Sequence, residues 1–415
     1  MEANMASGLS AFSRHLVVLL SVLVLGAGDV WFSANVDGVS NPIGAVRAGA
    51  IGLPDGPVTE EQVLRGRQLV IMRECGGCHG GRDNPAAEGW LAGDSEGPFD
   101  IGGYMVWPRN LTPDGETGLG RFSERQIFNV LRYGLRPDKT PDVEITSPVP
   151  GEGNFPLQPV YLSPGMPWAY WRYMPDEDLW AIAAYLKHGL KPVSHKIPER
   201  EVPPDLWAGA SSVEAIGTPS LPRFPTQREE LRVEEKREQV LRGRQLVAVS
   251  ACSGCHGGGV HPGQETWLTG MFPDDLDFEF KIGQFKTRPR NLTPHNTTGM
   301  GRFSERLIFN ALRYGLRPGE TADVEITSHT PGEGNFPMSP KYLAPPMPWP
   351  AWRHMPDQDL WDIAAYLKYG LKPVENRVQD SEGPPDFWVS GVKERIGPYP
   401  AVPFPTKNER RLGMQ

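Results

Sequence analysis

The 415-residue chain says nearly everything twice, and a repeat of that length points to two copies of one fold rather than one large core. "PRNLTP" at 108–113 returns at 289–294, and "GRFSER" at 120–125 returns at 301–306. "LRYGLRP" at 131–137 returns at 312–318, and "GEGNFP" at 151–156 returns at 332–337. "CGGCH" at 75–79 and "CSGCH" at 252–256 belong to the same pattern, with four extra residues in the second copy between His256 and Pro289. Ten of the twelve tryptophans pair across the copies: Trp90 with Trp267, Trp168 with Trp349, Trp171 with Trp352, Trp180 with Trp361, and Trp207 with Trp388. That pairing marks them as core or cofactor packing rather than scattered surface rings. The expected domains are 58–232 and 233–415. Each closes on a Pro-rich stretch containing "PPDLW" or "PPDFW" and then "FPT". The second stretch has nothing left to link, so each is expected to wrap back over its own domain.

The local pattern is mainly α, with long Pro/Gly-rich loops; Gly 47 and Pro 43 enrich the loops without reaching a disordered composition. Thr59 with Gln62 and Ser123 with Gln126 form capping boxes, and Gly134 ends the second of these helices. A further helix starts at Asp176, Glu177 and Asp178, where carboxylates suit the dipole, and runs on Leu179, Ile182, Ala183 and Leu186. Gly189 and then Pro192 end it. Leu360, Ile363, Ala364, Leu367, Gly370 and Pro373 repeat the pattern, and no run of alternating strands is visible.

All four cysteines lie in the two C-x-x-C-H motifs. That spacing is the attachment signal for c-type haem. Two thiols at the ends of a four-residue turn meet the two vinyl groups on one side of a porphyrin, and the next residue offers its imidazole to the iron. Gly76, Gly77 and Gly254 ease the turn. A zinc site built from both pairs, a redox dithiol and a structural disulfide use the same thiols. None of them accounts for a histidine after each pair, one pair per repeat.

A sixth iron ligand is then needed, and two methionine pairs survive the repeat. Met166 and Met347 sit in Pro/Gly-rich loops ("SPGMPWAYW", "APPMPWPAW") from which a thioether can reach a haem face. Met174 and Met355 directly precede a helix, where Met174 with Leu179 suits a hydrophobic staple. Met338 aligns with Leu157 and drops out, and no histidine outside the motifs is matched. His195, His295 and His354 are expected at the solvated surface. The carbonyls of Pro85 and Pro262 are candidates to accept the far ring proton of His79 and His256. Arg109 and Arg290 are candidates to pair with haem propionates, with an indole N–H from Trp168 and Trp349.

The net charge of −8 comes without a cationic cluster, which excludes a nucleic-acid partner. The apolar run Leu16–Ala27 fits a signal-peptide core and is short for a bilayer span. Residues 1–34 are therefore read as a signal peptide or a retained anchor, with a buried core helix as the bland alternative. The first two place the protein in the periplasm or on the outer face of the cytoplasmic membrane.

On "CGGCH", "NLTPDGETGLGRFSERQIFNVLRYGLRP", "MPWAYWRYMPDEDLWAIAAYL" and their second copies, each repeat resembles a class I c-type cytochrome domain over roughly 59–193 and 236–374. It is the kind found in cytochrome subunits of periplasmic dehydrogenases. The resemblance implies two tandem cytochrome c domains and two covalently bound haem c groups, attached through Cys75, Cys78, Cys252 and Cys255. It implies His79 with Met166, and His256 with Met347, as axial ligands. It also implies a first helix crossing the last, with Gly66 or Gly243 letting Tyr185 or Tyr366 approach. The matched insertions 138–165 and 319–346 and the Pro-rich endings 194–226 and 375–406 exceed the usual pattern. The function implied is outer-sphere electron transfer from a redox-protein donor, such as a dehydrogenase, to a respiratory acceptor. No catalytic residue is expected; a dihaem peroxidase-like enzyme is the alternative.

Overall fold

The computed structural model describes residues 56–101, 104–199, 219–271, 279–282, 285–382 and 396–413. The 1–34 segment, Trp207, Trp388 and both "PPD" motifs lie outside the described residues.

The first repeat opens with α1 (Glu60–Met72), capped by Thr59: its hydroxyl accepts from the Gln62 N–H at 3.2 Å, and the Gln62 side chain accepts from the Thr59 N–H at 2.9 Å. Glu74 then takes a left-handed conformation, unusual for a residue with a Cβ, and breaks α1 from the one-turn α2 (Cys75–His79). A hairpin pairs β1 (Phe99–Ile101) with β2 (Tyr104–Val106). Next come α3 (Glu124–Tyr133), with the Ser123–Gln126 capping box, the short α4 (Trp168–Trp171) and α5 (Asp176–Ala184). A wider π turn over Tyr185–Gly189 prolongs α5. The second repeat supplies α6 (Arg237–Val249), α7 (Cys252–His256), β3 (Phe280–Ile282), β4 (Phe285–Thr287), α8 (Glu305–Tyr314), α9 (Trp349–Trp352) and α10 (Asp357–Tyr369). The fold is mainly α; two hairpins, each of two three-residue strands, hold the only named strands among the described residues.

Within each repeat the first and last helices cross at a glycine. A Cβ on Gly66 would sit 1.9 Å from the Ala181 carbonyl oxygen, and one on Gly243 would sit 1.8 Å from that of Asp362. Tyr185 and Tyr366 lie beside these crossings and are fully buried. The buried guanidinium of Arg132 in α3 donates to the carbonyls of Arg172 and Met174 and to the Asp176 carboxylate, so it ties α4 to the start of α5. Arg313 does the same with Arg353, Met355 and Asp357. The insertions are folded caps: Ile145 and Phe155 bury against Tyr133, Leu135, Tyr161 and Trp168, and the Tyr133 hydroxyl donates to the Ile145 carbonyl. Asp142, Glu152, Asp323, Glu325 and Glu333 face solvent on them.

The endings differ from the expected self-wrapping. Their first parts do lie on their own repeat: Asn110 donates to the Val193 carbonyl, and Asn291 to that of Val374. Their last parts cross over. Glu409, from the end of the second repeat, pairs with Arg67 at 2.6 Å and accepts from the Tyr185 hydroxyl at 2.6 Å. Glu229, from the end of the first, pairs with Arg244 at 2.7 Å and accepts from the Tyr366 hydroxyl at 2.6 Å. Both carboxylates are fully buried. Each buried arginine needs a carboxylate that its own repeat does not place there, and the neighbour's "FPT-x-x-E" stretch brings one.

The repeats also share one apolar core, running from Val63 in α1 to Leu371 after α10. At their junction the Arg73 guanidinium donates to the Ser250 hydroxyl at 2.7 Å; these are equivalent positions in the two copies. Asp83 of the first repeat is buried against Arg353 of the second at 3.2 Å.

Candidate functional site

Each site starts from a one-turn helix. Gly76 lets α2 pack closely, because a Cβ there would fall 2.0 Å from the Arg82 carbonyl oxygen and 2.5 Å from the Trp90 ring. Trp90 lies beneath, fully buried, and its indole N–H donates to the Tyr185 hydroxyl at 2.9 Å. Trp267 and Tyr366 repeat this support under the second motif, also at 2.9 Å.

Each motif histidine is held by one ring nitrogen. His79 Nδ1 lies 2.6 Å from the Arg109 carbonyl oxygen, and His256 Nδ1 lies 2.6 Å from that of Arg290. A carbonyl can only accept, so Nδ1 carries the proton and Nε2 keeps its lone pair for a metal. Burial pushes both imidazoles towards the neutral form, His256 down to about 4. A neutral, oriented imidazole beside two cysteines is the donor set that haem c attachment requires.

This overturns the expectation for the proline carbonyls. The Pro85 carbonyl accepts from Thr406 and Asn408, and the Pro262 carbonyl accepts from Thr226, so both hold the crossed endings. The arginine side chains reach the endings as well. Arg109 donates to the Pro198 carbonyl at 2.9 Å and Arg290 to that of Gln379 at 2.7 Å. Their side chains clamp the near part of each ending while their backbones orient the histidines. The signal available in the sequence was the "PRN" repeat itself, which fixes the backbone at both carbonyls.

Burial pushes the four thiols up to about 12. A redox dithiol needs the opposite shift. Among the described residues no three His, Cys, Asp or Glu side chains gather as a metal cluster, so the two cysteine pairs do not form the Cys₄ zinc site.

The two methionine pairs lie in different surroundings. Met174 and Met355 are 2 % exposed and belong to the core in front of α5 and α10. Met166 and Met347 are only partly buried at its margin. Behind each of these loops a tryptophan packs on a left-handed glycine: a Cβ on Gly134 would fall 2.2 Å from the Trp168 ring, and one on Gly315 2.2 Å from Trp349.

Two histidines are not at the solvated surface. His195 is within hydrogen-bonding distance of the Ala92 carbonyl and the Ser95 hydroxyl, where Asn376 serves the second repeat. His354 is buried 3.6 Å from Asp83. His295 accepts from the Thr298 N–H, taking the turn-closing role of Asp114. Sequence reasoning also missed Arg132 and Arg313; an arginine inside an otherwise apolar helix stripe was the available sign.

No family model matches the chain. Over 352 residues it is 25% identical to the gluconate 2-dehydrogenase cytochrome c subunit of Pantoea cypripedii, covering 81% of this chain and 66% of the relative. It is 24% identical over 326 residues to the fructose dehydrogenase cytochrome subunit of Gluconobacter japonicus, covering 74% and 52%. It is 25% identical over 314 residues to the cytochrome c subunit of the quinone alcohol dehydrogenase of Gluconacetobacter polyoxogenes, covering 75% and 56%. The chain thus spans about half to two-thirds of the length of these relatives. These similarities to cytochrome c subunits of dehydrogenases support a c-type cytochrome with an electron-carrying role.

Proposed function

We propose that the chain is a dihaem c-type cytochrome made of two tandem cytochrome c domains. It would pass electrons by outer-sphere transfer from a periplasmic dehydrogenase to a respiratory acceptor. The observation that carries this is the matched pair of histidines, each neutral, each held through Nδ1 at 2.6 Å by a carbonyl, and each directly following a C-x-x-C pair. Cys75 and Cys78 would hold one haem c, and Cys252 and Cys255 the other. His79 with Met166, and His256 with Met347, would be the axial ligands. Haem c held by histidine and a thioether supplies a one-electron couple at raised potential.

The chain's own residues do the rest. The Arg109 and Arg290 carbonyls fix the imidazole planes, and Trp168 and Trp349 back the methionine loops. The insertion caps cover the flank of Trp168 and Trp349 and turn carboxylates outward, towards an approaching partner. Both methionine loops are built alike, so neither repeat offers the distinct distal side that a peroxidase-like enzyme needs. Residues 1–34 would direct export, either as a cleaved signal or as an anchor.

Intact mass after acid–acetone extraction tests the reading. The processed polypeptide should carry the mass of two haems, with no colour in the organic phase. Extractable haem, or a bare chain binding zinc, overturns it.

A further inference from the structure

The two-fold likeness of the repeats breaks down where their cysteine motifs approach each other. Tyr170 stands on α4, four residues after Met166, and belongs to the first repeat. A Cβ on Gly254, inside the second motif, would fall 2.8 Å from the Tyr170 hydroxyl oxygen and 3.2 Å from the carbon that bears it. The tip of the phenol ring therefore meets the Cys252–Cys255 turn, and Gly254 is the residue that makes room for it. The same phenol is close enough to feel both Cys252 and Cys255, and burial holds its proton firmly.

The reverse contact does not exist in this form. The equivalent of Tyr170 is Ala351, whose methyl group has no such reach. Over Gly77 the nearest atoms to a Cβ belong to Glu74 of the same repeat, at 2.8 Å. Ala351 thus offers the Cys75–Cys78 turn no ring like the one Tyr170 brings to Cys252–Cys255. Arg73 and Ser250, each two residues before its motif, are hydrogen-bonded beside this contact, so the neighbourhood is packed protein.

We propose that Tyr170 is a positioning residue for electron transfer within the molecule. Its ring bridges the Met166 loop of the first repeat to the Cys252–Cys255 turn of the second, and keeps a void or water out of the packed protein between the two attachment sites. This rests on the dihaem reading above. The step is a one-electron exchange: one iron goes from iron(II) to iron(III) as the other does the reverse, with no bond broken and no proton moved. The ring acts by filling space, because a buried phenol that keeps its proton is a poor stepping stone for the electron.

The test uses the holoprotein poised half-reduced. Exchange of the haem methyl resonances by proton NMR, measured at two protein concentrations, separates intramolecular from collisional transfer. Tyr170→Ala should slow the concentration-independent exchange about tenfold, equivalent to about 1.4 kcal/mol of activation free energy. Tyr170→Phe, which keeps the ring, should stay near the wild-type rate. If Tyr170→Ala loses its methionine–iron absorption band, it has misfolded, and Tyr170→Leu replaces it with the same expectation of slowing. A truncated variant exchanging at the wild-type rate, or Tyr170→Phe as slow as Tyr170→Ala, overturns the proposal. A mass below two haems would sink the dihaem reading and this inference together. Two haems with unchanged exchange would sink this inference alone.

Discussion

The two repeats share their motifs, caps, crossings and methionine loops, yet they do not share a boundary. Where a residue faces its own repeat the copies match: Trp90 and Trp267 hold equivalent tyrosines, and Arg132 and Arg313 reach equivalent carbonyls and carboxylates. The crossed carboxylates also match in both directions, but around the attachment motifs the residues that face the other repeat diverge. Arg73 stands opposite Ser250, Tyr170 corresponds to Ala351, and Asp83 to Val260. Even an internal pair drifts when it lies near the junction: Arg65 pairs with Asp178 at 2.8 Å, whereas Arg242 pairs one turn further along with Asp362 at 2.7 Å. The lesson is that the fold tolerates one solution inside each domain. The contact between the repeats is symmetric at the crossed endings and asymmetric between the attachment motifs, where Arg73 meets Ser250.

The sharpest way to break the comparison is at the methionines, where two pairs are equally visible in the sequence. Met166→Ala and Met347→Ala should each abolish the thioether–iron charge-transfer absorption of their own haem and open it to carbon monoxide. Met174→Ala and Met355→Ala should leave that band in place and lower stability instead, as truncated core residues do, by about 2–5 kcal/mol. Absorption near the red end of the spectrum and urea titration read the two effects. A band lost in the second pair would reverse the assignment in both repeats.

The crossed endings come next. Glu409→Ala leaves Arg67 buried without its carboxylate, and Glu229→Ala does the same to Arg244. Removing one partner of a buried pair costs about 3–5 kcal/mol. The loss should be local in each case. Hydrogen exchange should rise in α1 for the first variant and in α6 for the second, although the mutated residue belongs by sequence to the opposite repeat. Exchange rising in the mutated residue's own repeat would contradict the crossing.

The smallest difference is at the caps. Ser123 has a full capping box, whereas Ser304 caps α8 without a return bond, because Leu307 stands where Gln126 does. Ser123→Ala and Ser304→Ala each remove the same hydroxyl and should each cost about 1 kcal/mol by urea unfolding. A clearly larger loss at Ser123 would mean that the two bonds of the box reinforce each other.

The helices were legible because their signals are local. Thr59, Ser123, Gly134 and the acidic start of α5 act within one turn, and the repeat supplied each of them twice. The attachment motifs were legible for the same reason. The residue that orients each histidine was not, because it is a backbone carbonyl thirty residues or so away and carries no side-chain signature. The proline carbonyls fitted the spacing but were already committed to the crossed endings. His354 read as a surface residue because its partner, Asp83, lies on the other repeat. The crossing was invisible in principle, since two identical "FPT-x-x-E" stretches fit two identical sockets, and the sequence does not say which goes where.

That exchange has a consequence for the order of assembly. A ribosome delivers the first repeat long before the second, and chains that fold as they emerge ordinarily complete their leading domain first. Here the second repeat meets its Glu229 immediately before its own first helix. The first repeat must wait for Glu409, which follows the whole of the second repeat's helices. The half that is made first is the half that is finished last, and a nascent chain stalled before Phe404 would hold a latched second half beside an unlatched first.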